Sequence, residues 1–275
     1  MAVIAMTREM GTLGKDVAAG LAERLGLDLV HHNVVKQDIV ASSGLPESDV
    51  HRFLEGETSL LDRWRIDRRR MRCSTAREIL ELAAKRNVLI RGWGSVYLLR
   101  SVSHVLSVRC APMEFREQVL MRRLGLKDRA AARREIERDD AAHNGTMQRM
   151  FGIDWTDPAH YSIVLNTARI PVQECVDCIV GMVQTPAFAE TEQSKAELMN
   201  QLISARIRSA LDRHFGSDAG ALVKIEVNAG QAVLTGQMVD AHYIAEAVRF
   251  VRSVEGVTGV ESRIVPLGFQ PMELS

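Results

Sequence analysis

Thr7-Arg8-Glu9-Met10-Gly11-Thr12-Leu13-Gly14-Lys15-Asp16 decides how this chain is read. Ahead of it, residues 2–6 (Ala-Val-Ile-Ala-Met) form a short, continuously apolar run, the pattern of a buried strand. Behind it, Val17, Leu21 and Leu25 recur at helical spacing, and Gly26 offers a helix stop. A glycine-bearing loop between strand and helix is the context that phosphate binding needs. Gly11 and Gly14 let the backbone curl through Thr12 and Leu13, so that successive N–H groups face an anion at the helix amino terminus. Lys15 then reaches the terminal phosphates. The full GxxxxGK[ST] pattern is not met, because Glu9 holds the first glycine position and Asp16 replaces the hydroxyl residue.

Further short apolar runs at 88–90, 105–108 and 163–165 read as strands, and helical patterns separate them. That alternation predicts a mostly parallel sheet covered by helices. An all-helical stretch over 113–150 breaks the rhythm and reads as an arm folded over the sheet's carboxyl edge. Residues 185–197 lack apolar periodicity and read as a linker, leaving 1–184 as a first domain and 198–268 as a second. In the second, Met199, Leu202, Ile203, Ile207 and Ala210 share a helix face. Strands follow at 223–227, 231–239 and 259–265, with a helical stripe of Ile244, Ala247, Val248 and Val251 before the last. The order α-β-β-α-β gives an α+β sandwich with its own core.

Composition excludes several classes of protein. The chain has 275 residues, 46% hydrophobic and 25% charged, so disorder and fibrous repeats are out. Thirty-five basic residues balance thirty-five acidic ones, which supplies no bulk field for nucleic acid. No apolar stretch approaches the roughly 20 residues of a membrane span, and four cysteines suggest no disulfide framework. A cytoplasmic protein is expected.

With these residues in view, the start resembles the cytidylate kinase-like family of P-loop proteins, whose loop reads much like Ser-Arg-Glu-Phe-Gly-Ser-Gly-Gly-Arg-Glu. The likeness continues through Asn87-Val-Leu-Ile-Arg-Gly-Trp-Gly94 and Arg109-Cys-Ala-Pro-Met-Glu-Phe-Arg116, with Arg122 and Arg123. It closes with Phe151-Gly-Ile-Asp-Trp-Thr-Asp-Pro158 and Tyr161-Ser-Ile-Val-Leu-Asn-Thr167. The resemblance implies a P-loop NTPase-type parallel sheet with a helical lid, and ATP- and Mg²⁺-dependent phosphoryl transfer to a nucleoside monophosphate. It implies that Lys15 and the 11–14 backbone hold the donor phosphates. Arg116, Arg122 and Arg123 would close over them from the lid, because the planar guanidinium grips phosphate bidentately. Arg8 would enter the same crevice, Arg91 would sit by the acceptor, and Asp16 or Asp140 would hold the metal.

Three positions depart from the family pattern. Asp16 lacks the usual metal-binding hydroxyl, Asp140 is followed by His143 where the lid carries arginine, and Tyr161 is followed by Ser162 where aspartate is usual. They leave open a second reading, a nucleotide-binding sensor without turnover.

Residues 198–267 resemble a BON domain through Gly230-Gln-Ala-Val-Leu-Thr-Gly236 and Val254-Glu-Gly-Val-Thr-Gly-Val260. The resemblance implies a docking or regulatory module for a protein partner or a phospholipid surface. Two other features carry less. Cys175-Val-Asp-Cys178 lies in an amphipathic helix without a second Cys or His pair and reads as core. Arg63-Trp-Arg-Ile-Asp-Arg-Arg-Arg-Met-Arg72, six arginines against one aspartate, reads as acceptor contact or a solvated face in preference to nucleic-acid binding.

Overall fold

The computed structural model describes residues 2–30, 40, 68–85, 87–92, 94–100, 111–216 and 222–267. The expected strand at 105–108, residues 63–67 of the arginine run and residue 268 lie outside that set. The first sheet is parallel, ordered β1-β3-β2, from β1 (Val3–Met6), β2 (Asp28–Val30) and β3 (Val88–Arg91). β2 is the shortest strand of the sheet, with only three pairing residues that begin at Asp28. Residues 163–165 form no strand among the described residues, although Leu165 is buried.

Alternation along the central strands builds two cores. Val3, Ala5, Val88 and Ile90 face one layer with helix α2 (Arg68–Lys85). Ile4, Met6 and Leu89 face the other, against α1 (Gly14–Leu25) and α6 (Val172–Val183). β1 and β3 are buried at every residue, which is why they read as unbroken apolar runs. Cys175 is fully buried in the second layer while Cys178 is exposed, so the i, i+3 pair is not wholly core. After β3 comes the single turn α3 (Ser95–Leu98). The arm is a helical hairpin, α4 (Met113–Leu124) and α5 (Arg129–Phe151), with Leu120, Ala132 and Ile136 buried between them.

A helix runs out of the expected linker. Thr191 caps α7 (Glu192–Phe215) through a capping box with Ser194, six residues before the expected start of the second domain. Along α7 the apolar residues divide between two cores. Leu198 and Leu202 pack with α2, Val3 and Ile90, whereas Ile203, Ile207 and Leu211 face the second domain. Met199, expected on that face, is 42% exposed. The two domains therefore share a helix instead of having wholly separate cores.

The second sheet is ordered β4-β5-β6, from β4 (Val223–Asn228), β5 (Gln231–Met238) and β6 (Gly259–Pro266). β4 and β5 form a hairpin whose two turn residues, Ala229 and Gly230, both have positive φ (48° and 80°). Such a turn matches the twist of the strands it joins. Helix α8 (Ala241–Arg252) then crosses to β6, which pairs parallel with β5. Gly236 is obligatory, because a Cβ there would stand 1.9 Å from the Leu222 carbonyl oxygen.

Candidate active site

β1 delivers the chain to the glycine loop, and α1 begins as the loop ends. Leu13 takes a left-handed conformation (φ 55°, ψ 13°) at the amino cap of α1 and gives no side-chain cap. Its carbonyl accepts the N–H groups of Asp16 and Val17 at 2.9 and 3.1 Å. Among the described residues, the N–H groups of Gly14 and Lys15 find no hydrogen-bond partner. The first turn of the helix thus presents donors and the positive end of its dipole to the loop. Gly11, at φ 80°, lets the loop pass under the arm: a Cβ would lie 2.5 Å from the Arg116 carbonyl oxygen.

The loop is held from both sides. The Thr12 hydroxyl donates to the Glu9 carbonyl at 2.7 Å, and the Thr167 hydroxyl donates to the Thr12 carbonyl at 2.5 Å. Arg116, 4% exposed, donates Nε to the Met10 carbonyl at 2.7 Å and both terminal nitrogens to Asp140 at 2.9 and 2.7 Å. Glu9 lies 3.8 Å from the same guanidinium and accepts from the Ala111 N–H at 3.4 Å. Arg116 and Asp140 are thus committed to each other and to the loop backbone.

Four cations surround the same helix end. The Arg8 side chain packs directly over Gly14, whose added Cβ would meet it at 2.8 Å. Arg91, at the carboxyl end of β3, is 7% exposed and makes no hydrogen bond or ion pair among the described residues. Its pKa is pulled down to about 10 by burial, then by Arg8 and Arg123. Lys15 is lowered by desolvation, then by Arg8, Arg123 and Arg91, with Asp16 opposing. Arg8 is lowered chiefly by burial, with Asp139 raising it and Arg123 lowering it further. Two carboxylates stand by: Asp16 pairs with Arg123 at 3.2 Å, and Asp139 is pushed up mainly by burial. Four like charges that destabilise one another around free N–H donors form a site for an anion of high charge.

The lid arginines therefore divide. Arg123 reaches the loop, Arg116 anchors it, and Arg122 is exposed with its Nε returned to the Gln118 carbonyl of its own helix at 3.4 Å. His143 stacks flat on Trp155, centroids 3.9 Å apart, and Ser162 is exposed. A small cleft beside Thr7 and Gly92 is lined by Tyr97, His143, Trp155 and Tyr161. Glu9, Asp139 and Thr167 are site residues that sequence reasoning missed. Glu9 alone had a usable signal, its place inside the quoted loop.

A parallel sheet, a glycine loop opening a helix and a cationic lid define a nucleotide-binding α/β domain of the P-loop type. Residues 3–169 match the family model described as cytidylate kinase-like family, and residues 200–265 match the BON domain. The chain belongs to the cytidylate kinase-like family and carries a BON domain behind it. It is similar to a cytidylate kinase of Halorubrum lacusprofundi, 30% identical over 66% of this chain and 88% of the relative. A cytidylate kinase of Pyrobaculum aerophilum is 25% identical over 64% of this chain and 89% of that one. A solved structure of an uncharacterized protein from Eubacterium ventriosum shares the fold. Its TM-score is 0.53 at 19% identity, covering 67% of this chain and 99% of that protein. Among the described residues no helix is long and apolar enough to cross a membrane.

Proposed function

We propose that the protein transfers the terminal phosphoryl group of ATP to a nucleoside monophosphate, with the BON domain as a docking or regulatory module. The observation that carries this reading is the convergence of Arg8, Lys15, Arg91 and Arg123 on the amino end of α1. Phosphoryl transfer asks a protein for positioning and charge stabilisation more than for covalent chemistry, and this arrangement offers both. Lys15 and the 11–14 backbone hold the donor phosphates. Arg123 and Arg8 face the charge that spreads over the moving group, and Arg91 takes the acceptor's phosphate. Arg116, braced by Asp140, keeps the loop in shape.

Tyr97, Trp155 and Tyr161 line a cleft beside Thr7 and Gly92 that, at about 20 Å³, would have to open to take an acceptor base. The arm above the loop keeps out water, which competes as an acceptor. Mg²⁺ bound through nucleotide phosphates needs only one or two protein carboxylates. Asp16, half exposed on the first turn of α1, meets that need once Arg123 releases it. No cluster of three metal-binding side chains occurs among the described residues. Bound there, the ion would neutralise charge between the phosphates.

The rival reading, a nucleotide sensor without turnover, draws on two observations. His143 is stacked on Trp155 where the family lid carries an arginine, and Asp16 is engaged by Arg123. Both readings require the loop to bind the donor. Calorimetric titration with ATP·Mg²⁺ is expected to show binding that Lys15→Ala weakens at least tenfold, about 1.4 kcal/mol. Equal affinity in the variant would overturn the loop assignment.

A further inference from the structure

Two of the arginines that open α2 lie at its joint with α7. Arg69 donates to Asp212 of α7 at 3.3 Å, and Arg72 borders a cleft between the two helices. That cleft contains a cavity of about 520 Å³, within the range that holds small organic ligands. A second cavity of about 470 Å³ shares Arg72, Cys73 and Arg208 with it and continues toward Thr235 and Gly236 of the second domain.

The walls of the larger cavity differ in chemistry. On one side are Met150, Tyr97 and Phe151, the two rings tilted by 40° with centroids 5.0 Å apart. On the other, Asn200, Gln201 and Ser204 of α7 offer amide and hydroxyl groups. Guanidinium groups lie where the two cavities meet. Among the described residues, Arg69, Arg72 and Arg208 there outnumber Asp212, a carboxylate whose side chain is 1% exposed and paired with Arg69. Glu197 borders the cavity from an exposed position and accepts from Gln201 at 2.7 Å. Burial first, and then Arg69, disfavours the charged form of Arg208. The cleft therefore combines an aromatic wall, neutral hydrogen-bonding groups and, among the described residues, an excess of positive charge.

We infer that this cleft between the two domains is a second ligand site, taking an organic phosphate whose ring lies against Tyr97 and Phe151 and whose phosphate meets Arg72 and Arg208. Tyr97 also borders the aromatic cleft at the carboxyl edge of the first sheet, so the occupant would lie one ring away from it. The site does not depend on the loop assignment, since it shares no residue with the loop.

Phenyl phosphate, a ring carrying one phosphate, is the probe. The full-length Lys15→Ala protein, in which the loop is weakened, is titrated by calorimetry. A binding event is expected, and adding Arg72→Glu should weaken it at least tenfold. Arg208→Gln should do the same. Arg72 is exposed, so its variant decides the matter even where Arg208→Gln fails to fold. No binding by the Lys15→Ala protein at millimolar probe, or binding unchanged by Arg72→Glu, overturns the inference. Failure of the loop reading would appear separately, in the ATP titration.

Discussion

Arg91 destabilises the chain that contains it. Burial first, and then two neighbouring arginines, bring its pKa well below the usual arginine range, to about 10. A base with a folded pKa below its unfolded value binds its proton less well in the native state, so it opposes folding wherever both states are charged. Above about 10 the unfolded chain binds more protons, and this contribution to stability rises with pH there. Arg91→Gln is expected to raise the melting temperature without nucleotide by a few degrees, roughly 1 kcal/mol. The same variant should weaken CMP binding about tenfold. Thermal unfolding with and without CMP reads both effects, and a lower melting temperature without nucleotide would contradict the account. At this scale the loop was legible because its signal is local: strand, glycines, lysine and helix lie within a short span. Asp139 and Thr167 were not, since only the fold carries them to residues far away in sequence.

The joint between α2 and α7 is the element that sequence reasoning described least well. A helix serving two cores shows a single broad apolar stripe, and nothing in that stripe says where one core ends. The Arg206 and Glu81 side chains join the two helices with hydrogen bonds of 2.7 and 2.8 Å. Hydrogen bonding from Arg206 outweighs burial and holds the Glu81 carboxyl below its usual 4.5. A carboxylate lowered on folding stabilises above its unfolded value, and that contribution is lost as pH falls through the folded one. An Arg206→Ala, Glu81→Ala double-mutant cycle should give a coupling of about 1 kcal/mol at pH 7, shrinking as pH drops below 4.5. Coupling that holds constant into strong acid would contradict that assignment. The described part of the arginine run illustrates the same limit. Its charge density was plain, but the pairing of Arg69 with Asp212 depended on a helix more than a hundred residues away.

At the scale of the whole molecule, the order of strands and helices was readable in the second domain and for the two central strands of the first, because buried parallel strands and a two-residue hairpin leave strong local patterns. The dependence of one domain on the other was not. Leu198 and Leu202 bury 92% and 99% of their surfaces in the first domain's core, contributing about 1.5–3 kcal/mol each. Against a total stability of roughly 5–15 kcal/mol, that is a large share. A chain ending at residue 191 should melt at least 5 °C below the full chain, at roughly 2–4 °C per kcal/mol for a domain of this size. An unchanged melting temperature would show that the two domains stand apart.

Phosphoryl transfer from labelled ATP·Mg²⁺ to a panel of nucleoside monophosphates, with Lys15→Ala alongside, tests the central claim most directly. The account predicts a labelled nucleoside diphosphate from CMP or dCMP, lost in the variant. ATP bound with no product from any acceptor would contradict it and leave a nucleotide sensor in its place.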